Sequence, residues 1–315
     1  MRRPLSEVEG PARARHPRLA EKWLTRVMDI GVHFMNFTLP GGEETIAEAF
    51  TETAVAADQN GFDRLTVMDH WFQMDRFAPA EEPMLEAYTA LGYAAGVTKR
   101  LRLGVLVTGI MYRYPGLLVK TATTLDVLAG GRTFFGLGAA WYEREHLGLG
   151  VPYPPLRERF ARLEELILIA NQMWSDDDGA FNGEFSSLAE TICHPAPVNG
   201  RIPILIGGNG EKKTLRLVAQ YADECNIFAD EPAVVAHKIE VLRAHCADLG
   251  RDPSEVRITA LAFDDPAADP AGFVERMKPL ADLGITQVQV RNPVAHGSEW
   301  AAKVGDDVIP ALSGL

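Results

Sequence analysis

The sequence has few cysteines, and their arrangement argues against both a disulfide framework and a zinc site. Its 315 residues include three cysteines, Cys193, Cys225 and Cys246, which lie far apart and form no C-x-x-C pair. An odd number of distant cysteines, with no histidine at the spacing of a zinc ligand, is not typical of a disulfide-stabilised or zinc-binding fold. We therefore predict a protein without a structural metal.

Positive charge and long apolar runs are also scarce. The chain has 31 Lys and Arg residues against 43 Asp and Glu residues, a formal net charge of −12. This charge repels the phosphate backbone of a nucleic acid or an anionic membrane, and no segment approaches the roughly 20 apolar residues of a membrane span. No apolar segment follows Arg2 and Arg3, as it would in a signal peptide. We expect a cytoplasmic protein with no nucleic-acid or membrane partner, although a few local cations or backbone N–H groups would suffice for a small anionic ligand.

Apolar residues make up 47% of the chain and charged residues 23%, which is the balance of a globular protein with a large core. Residues 1–26 contain more basic than acidic residues and few large apolar ones. We predict that they form a flexible or peripheral leader and that one domain spans 27–315, with Met28 as an alternative start.

Short apolar strands alternate with amphipathic helices along this domain. Eight segments have the character of strands: 29–35, 63–69, 101–108, 132–138, 203–207, 224–228, 255–261 and 285–291. Eight have the length and apolar spacing of helices: 43–60, 84–97, 115–129, 157–174, 211–222, 231–249, 271–283 and 298–312.

This alternation predicts an α/β fold, a single (β/α)8 TIM barrel. A doubly wound sheet is the alternative, but the turn after its first strand would more often read G-x-G-x-x-G than MNFTLPGGEE. The segment 175–202 lacks a helical period and is predicted to be an insertion loop.

The second strand ends in TVMDHWFQMD, and active sites of TIM barrels lie where strands end. Side chains alternate along a strand, so His70 shares the parity of Thr66 and Met68 and points into the barrel lumen. A histidine there has the chemistry to exchange protons near neutral pH. A structural histidine bonded to a backbone carbonyl, with Asp69 capping the next segment, fits the position equally well.

Three glycine-rich strand ends are candidate ligand contacts. In PILIGGNGEKKT the glycines allow close backbone approach, and the following helix N-terminus favours an anion. In RTFFGLGAAW the small residues after Gly138 would admit a planar ring or a phosphate, and in LRLGVLVTG two glycines bracket a β-branched run. Tight structural turns and dense packing are the alternatives at each.

Four stretches together resemble the bacterial-luciferase-like superfamily, and within it the oxidoreductases that depend on the deazaflavin coenzyme F420. They are MDHWFQ, LVTGIMYRYPGLLVKTATTLDVLAGGR, GLGAAWYEREHLGLGVPYPPLRERFARLEE and ILIGGNGEKKTLRLVAQYADECN, and their joint order is more specific than any one of them. The resemblance runs from about residue 27 to the C-terminus. It implies a TIM barrel that binds F420, or alternatively FMN, at its carboxyl face.

The resemblance also implies roles for individual residues. A non-prolyl cis peptide is implied at Leu106–Val107, backing the central ring of the cofactor. His70 is implied as the active-site histidine, with Asp69 beside it near the ring. The implied cofactor-binding residues are Leu106, Val107, Thr108, Gly109, Gly138, Ala139, Ala140, Trp141, Gly207, Gly208, Asn209, Gly210 and Glu211. The predicted substrate-pocket residues are Trp71 and Asn36.

We therefore predict an oxidoreductase that transfers hydride between F420 and a small organic substrate, with His70 as general acid or base. Trp141 aligns with a catalytic acid of the sugar-phosphate branch, which disfavours oxidation of sugar phosphates. The alternatives are a monooxygenase that uses reduced FMN and a non-catalytic flavin-binding protein. A homodimer is expected from the resemblance alone, and the substrate is chosen by loops such as 71–83 and 175–202.

Overall fold

Parallel strands and helices alternate along the chain in the computed structural model, which describes residues 28–315. The predicted leader, 1–26, and residue 27 lie outside the described residues. The strands are β1 (Asp29–Phe34), β2 (Arg64–Val67), β3 (Arg102–Val105), β4 (Thr108–Gly109), β5 (Phe135–Gly138), β6 (Phe181–Asn182), β7 (Ser187–Leu188), β8 (Ile204–Gly207), β9 (Glu224–Phe228), β10 (Arg257–Ala262) and β11 (Ile285–Arg291). The α-helices are α1 (Ile46–Gln59), α2 (Ala87–Val97), α3 (Pro115–Leu128), α4 (Glu143–Gly148), α5 (Leu156–Met173), α6 (Thr214–Tyr221), α7 (Pro232–Asp248), α8 (Pro270–Asp282), α9 (Gly297–Asp307) and α10 (Ile309–Leu312).

The main sheet closes on itself through the third predicted strand, which is divided into β3 and β4. β3 pairs with β2 and β4 pairs with β5, all in parallel. A bridge between Leu103 and Thr133 joins the two edges directly. The strand order β3-β2-β1-β11-β10-β9-β8-β5-β4 therefore describes an eight-stranded barrel, and the predicted TIM barrel is confirmed.

Four differences from the sequence-based predictions stand out among smaller shifts at the ends of elements. The strand predicted at 101–108 is interrupted at Leu106–Val107, whose peptide bond is cis, as the resemblance implied. The helix predicted from 211 begins at Thr214, because the glycine-rich turn occupies 208–213. The helix predicted at 298–312 is two helices, since Pro310 lacks the N–H that a continuous helix needs.

The fourth difference is the short helix α4, which the sequence analysis did not predict. The segment 175–202 is mainly irregular, as expected, and contains one antiparallel pair, β6 with β7.

The core lies between the strands and the surrounding helices. Leu65 and Val67 of β2 are buried in it, as their parity predicted. Helix α5 buries Leu163, Leu166 and Ile167 on one face, which explains its apolar spacing.

The amino end of the barrel holds a cluster of buried charges. Arg64 and Glu224 are the first residues of β2 and β9, and both are fully buried. Nη1 of Arg64 lies 2.8 Å and Nη2 of Arg102 lies 2.9 Å from the Glu224 carboxylate. Burial opposes ionisation of Glu224, but Arg102 and Arg64 hold its pKa well below its usual value.

Replacing Glu224 with Gln should lower the free energy of unfolding by about 3 to 5 kcal/mol at neutral pH, because two arginines lose their buried counter-charge. The folded-state pKa of Glu224 is depressed, so its contribution is present above about pH 4.3 and is lost as the pH falls below that value. Urea unfolding from pH 7 to pH 3 should therefore show a difference between variant and wild type that shrinks in acid. Glu190→Gln, at an exposed position, is the matched control; equal losses in both variants would contradict the assignment.

Candidate active site

A cavity of about 420 Å³ opens where the barrel strands end at their carboxyl side. Twelve of the predicted site residues line it: Asp69, His70, Leu106, Val107, Thr108, Gly109, Gly138, Ala139, Ala140, Trp141, Gly207 and Gly208. These residues come from β4, β5 and β8 and from the segments that follow β2, β3, β5 and β8, so the barrel unites segments that are distant in sequence.

Asn36 and Trp71, the predicted substrate-pocket residues, lie outside the lining of this cavity. Asn36 lies on a separate small groove, where its side chain accepts a hydrogen bond of 2.7 Å from the Thr38 N–H. The Trp71 side chain is exposed and packs edge-on against Tyr112, with ring centroids 6.1 Å apart.

Asn209, Gly210 and Glu211 also lie outside the cavity lining, because the turn after β8 carries them away from it. The side-chain oxygen of Asn209 accepts a hydrogen bond of 3.3 Å from the Phe228 N–H. Glu211 is held by an ion pair to Lys238.

One wall of the cavity is shaped to accept a flat ring. Leu106 belongs to an apolar cluster with Leu205 and Leu261, against which Val107 packs. A Cβ added at Gly138 would lie 2.6 Å from Val107 Cγ2, and one added at Gly207 would lie 2.7 Å from Val107 Cγ1. The two glycines therefore leave room for the Val107 side chain, which a larger residue at either position would displace. The cradle formed by Leu106 and Val107 fits a flat ring such as a flavin or deazaflavin.

His70 faces the same cavity and is held from behind by Glu145. Its Nδ1 lies 2.8 Å from Oε1 of Glu145, whose side chain is completely buried. Glu145 also accepts a hydrogen bond of 2.9 Å from the Trp71 N–H and another from the Tyr112 hydroxyl. Burial alone would raise the pKa of Glu145, but the hydrogen bond and charge of His70, with Tyr112 and the Trp71 N–H, lower it overall.

This arrangement determines which nitrogen of His70 is available. An ionised carboxylate only accepts hydrogen bonds, so Nδ1 must carry the proton that lies between His70 and Glu145. Nε2 is then the nitrogen free to exchange a proton with a ligand.

Glu145 was not predicted from the sequence. It lies in WYEREH, within the unpredicted helix α4, and its only local signal is an acid that falls on the buried side of that short helix.

Asp69 is fixed by a different set of contacts. Its two carboxylate oxygens lie 2.8 and 2.9 Å from the guanidinium of Arg113, and one also accepts a hydrogen bond of 3.0 Å from the Gly109 N–H. Burial raises the pKa of Asp69, and Arg113 opposes that shift. These bonds tie the end of β2 to β4; Arg113 was not predicted.

A polar layer beneath the cavity includes a second histidine that the sequence analysis did not select. His33 is buried, lines the cavity, and its Nδ1 lies 2.8 Å from the Thr66 hydroxyl. Burial, and next the charge of His70, lowers the pKa of His33 to about 3. His33 is therefore neutral near pH 7.

Within residues 28–315, no helix has the length and apolar character needed to cross a membrane. Nor do these residues place three or more His, Cys, Asp or Glu side chains together as metal ligands.

Comparison with known proteins shows which family the chain resembles. The family model described as luciferase-like monooxygenase matches residues 28–304. An uncharacterized protein from Mycobacterium tuberculosis (strain ATCC 25618 / H37Rv) is 30% identical over 225 residues, covering 70% of this chain and 74% of the relative. The F420-dependent glucose-6-phosphate dehydrogenase of Kineococcus radiotolerans is 29% identical over 281 residues, covering 85% of this chain and 79% of the relative.

A solved structure agrees with the fold. The coenzyme F420-dependent tetrahydromethanopterin reductase from Methanopyrus kandleri superposes with a TM-score of 0.73, covering 91% of this chain and 99% of that chain. Its sequence identity is 17%, so this likeness bears on the barrel architecture alone.

The buried His33 predicts a specific loss of stability in acid. Its folded-state pKa of about 3 lies below the usual value near 6.5, so between these values the unfolded chain binds a proton that the folded protein does not. His33→Gln removes this term and should flatten the fall in unfolding free energy by about 1 kcal/mol per pH unit in that window. Urea unfolding at several pH values measures it. The exposed His237→Gln is the control, and identical pH profiles for wild type and His33→Gln would contradict the assignment.

Proposed function

Because the chain belongs to the luciferase-like monooxygenase family, we propose that it is an oxidoreductase that transfers hydride between coenzyme F420 and a small organic substrate. The observation that carries the proposal is the cavity itself, in which an apolar cradle and a carboxylate-held histidine face one ligand space. The relative named as F420-dependent, which is similar over 85% of this chain, supports F420 as the cofactor.

When bound, the cofactor supplies the carbon that donates or accepts hydride. The residues of the chain then have to bind the ring, orient the substrate and handle one proton. Leu106 and Val107 would support the ring from one side. Gly138 and Gly207 would leave room for Val107 to take up this position, and Asp69 with Arg113 would hold β4 in place.

His70 is the proposed general acid or base. Its Nε2 faces the ligand, while Glu145 holds Nδ1–H and stabilises the imidazolium that forms when Nε2 takes up a proton. The Tyr112 hydroxyl donates to the same carboxylate, and burial together with Glu145 raises the pKa of Tyr112, so this donor stays protonated. The histidine is thus held in one orientation and one tautomer before substrate binds.

The cradle predicts how a glycine substitution affects cofactor binding. Gly207→Val would place methyl groups where Val107 and the ring must lie, and should weaken F420 binding by about tenfold or more, equivalent to about 1.4 kcal/mol. Gly96→Val, where an added Cβ meets nothing within 4 Å, is the matched control. Fluorescence titration measures both. Micromolar binding of FMN by the wild type with none of F420 would instead support the reduced-FMN-dependent monooxygenase.

The contact between His70 and Glu145 predicts a loss of turnover in variants of either residue. Such a loss would distinguish an enzyme from a non-catalytic flavin-binding protein. His70→Ala should lower kcat by roughly 10²- to 10⁴-fold, because proton transfer loses its positioned group. Glu145→Gln keeps the shape of the contact but removes its charge. It should lower kcat as well and let both His70 tautomers appear in ¹⁵N NMR spectra.

Glu143→Gln is the control for the Glu145 variant, since it removes the same charge from an exposed position of the same helix. Turnover is followed by the absorbance of F420 with a substrate found by screening carbonyl and activated C=C compounds. Wild-type kcat in His70→Ala would rule out the proposed role.

A further inference from the structure

The exposed Arg76 side chain lies over two aromatic rings that line the cavity. It lines the cavity, and its guanidinium carbon lies 4.4 Å from the ring centroid of Phe77 and 5.7 Å from that of Trp141. Phe77 and Trp141 line the same cavity and are 43% and 51% exposed. Stacking on ring faces holds a guanidinium in place while leaving the edge that carries its N–H donors open.

The charge of Arg76 differs from the other charges of the cavity because no carboxylate matches it. Asp69 is paired with Arg113, and His70 with Glu145. The neighbouring Asp75 is engaged by Arg144 and the Tyr142 hydroxyl. Among residues 28–315, Arg76 is the only Lys or Arg that lines the cavity, and none of their carboxylates lies within ion-pair distance of it.

An apolar and aromatic surface continues from Arg76 towards the cradle. The Phe77 ring lies 5.8 Å from Phe263, which lies 5.9 Å from Phe228. Phe228 in turn packs against the apolar cluster that contains Leu106 and Leu261. On the other side, the Trp141 ring is next to both Arg76 and His70, and the His70 and Trp141 ring centroids are 5.5 Å apart.

Resting on the function proposed above, we propose that the substrate is an organic anion with a flat, apolar body and a single carboxylate that binds Arg76. The body lies against Trp141 and Phe77, and the reacting centre lies beside His70. A guanidinium binds a carboxylate through two parallel hydrogen bonds, so this contact orients the substrate as well as attracting it. The exposed surface of the lining is mainly apolar, which suits a flat apolar body better than the hydroxyls of a sugar.

Two ligands could supply the anion that binds Arg76: the substrate, through its carboxylate, and the cofactor, through its phosphate. The substrate is the better match, since Arg76 shares the Trp141 ring with His70, on the side of the cavity where proton transfer is proposed. The two sources are separable by experiment.

The first arm of the test measures binding of benzoate, cinnamate and 2-naphthoate, each against its neutral primary amide, by calorimetry with and without F420. The wild type should bind carboxylates about tenfold more tightly than amides. Arg76→Gln should abolish this preference and Arg76→Lys should keep part of it. Arg157→Gln, which removes the same charge from an exposed position outside the cavity lining, should leave it unchanged.

The second arm compares FMN with riboflavin, which differ by a phosphate, and F420 with its deazaflavin chromophore lacking the anionic tail. These affinity ratios should be the same in wild type and Arg76→Gln. If either affinity ratio fell towards 1 in Arg76→Gln, Arg76 would bind the cofactor and the proposal would be overturned. The proposal would also be overturned if the wild type showed no preference for carboxylates over amides across the series.

The two proposals fail in different ways. If wild type binds no F420 but shows the Arg76-dependent carboxylate preference, the proposed cofactor is wrong and the anion site stands. If F420 binds and the preference is absent, the anion site alone is wrong. Melting temperatures of the Arg76 variants equal to wild type exclude loss of folding, as expected for an exposed side chain.

Discussion

The buried carboxylate of Glu145 is the contact on which the candidate site depends. It accepts hydrogen bonds from His70 Nδ1, the N–H groups of Trp71 and Phe72, and the Tyr112 hydroxyl. These donors come from the turns after β2 and β4, while Glu145 itself lies on α4 after β5. One ionised group therefore sets the position of three successive turns and the tautomer of the histidine, and the same four donors offset the cost of burying its charge.

Two adjacent residues, Asp69 and His70, serve different purposes because the alternation of a strand sends them in different directions. Asp69 binds Arg113 and the Gly109 N–H and so fixes the end of β4. His70 points into the lumen, where its neighbours are aromatic rings and the cavity. The charges that surround the ligand space are thereby matched within the protein, with the exposed Arg76 as the exception from which the anionic substrate is inferred.

The parts of the site that follow from local pattern were predictable, and those that follow from long-range contacts were not. Strand alternation predicted the direction of His70, and glycines at strand ends predicted the cradle at Gly138 and Gly207. The cis peptide at Leu106–Val107 came from family resemblance, since no local pattern encodes it. Glu145 is 75 positions from His70 in sequence and sits on a six-residue helix, which is too short for apolar periodicity to mark its buried face. Asn36 and Trp71 lie outside the cavity lining because they contact the Thr38 N–H and the Tyr112 ring, neither of which the sequence around them specifies.

In the proposed mechanism the cofactor and the proton donor meet in one cavity, and a crystal structure with F420 bound would show whether they do. We predict the deazaflavin ring against Leu106 and Val107, with His70 on the opposite side, its Nδ1 still bonded to Glu145 and its Nε2 directed at the space above the ring. A substrate atom placed there would lie within about 3 Å of Nε2, the distance that proton transfer requires. A ring bound outside this cavity, or an Nε2 turned away from it, would contradict the account.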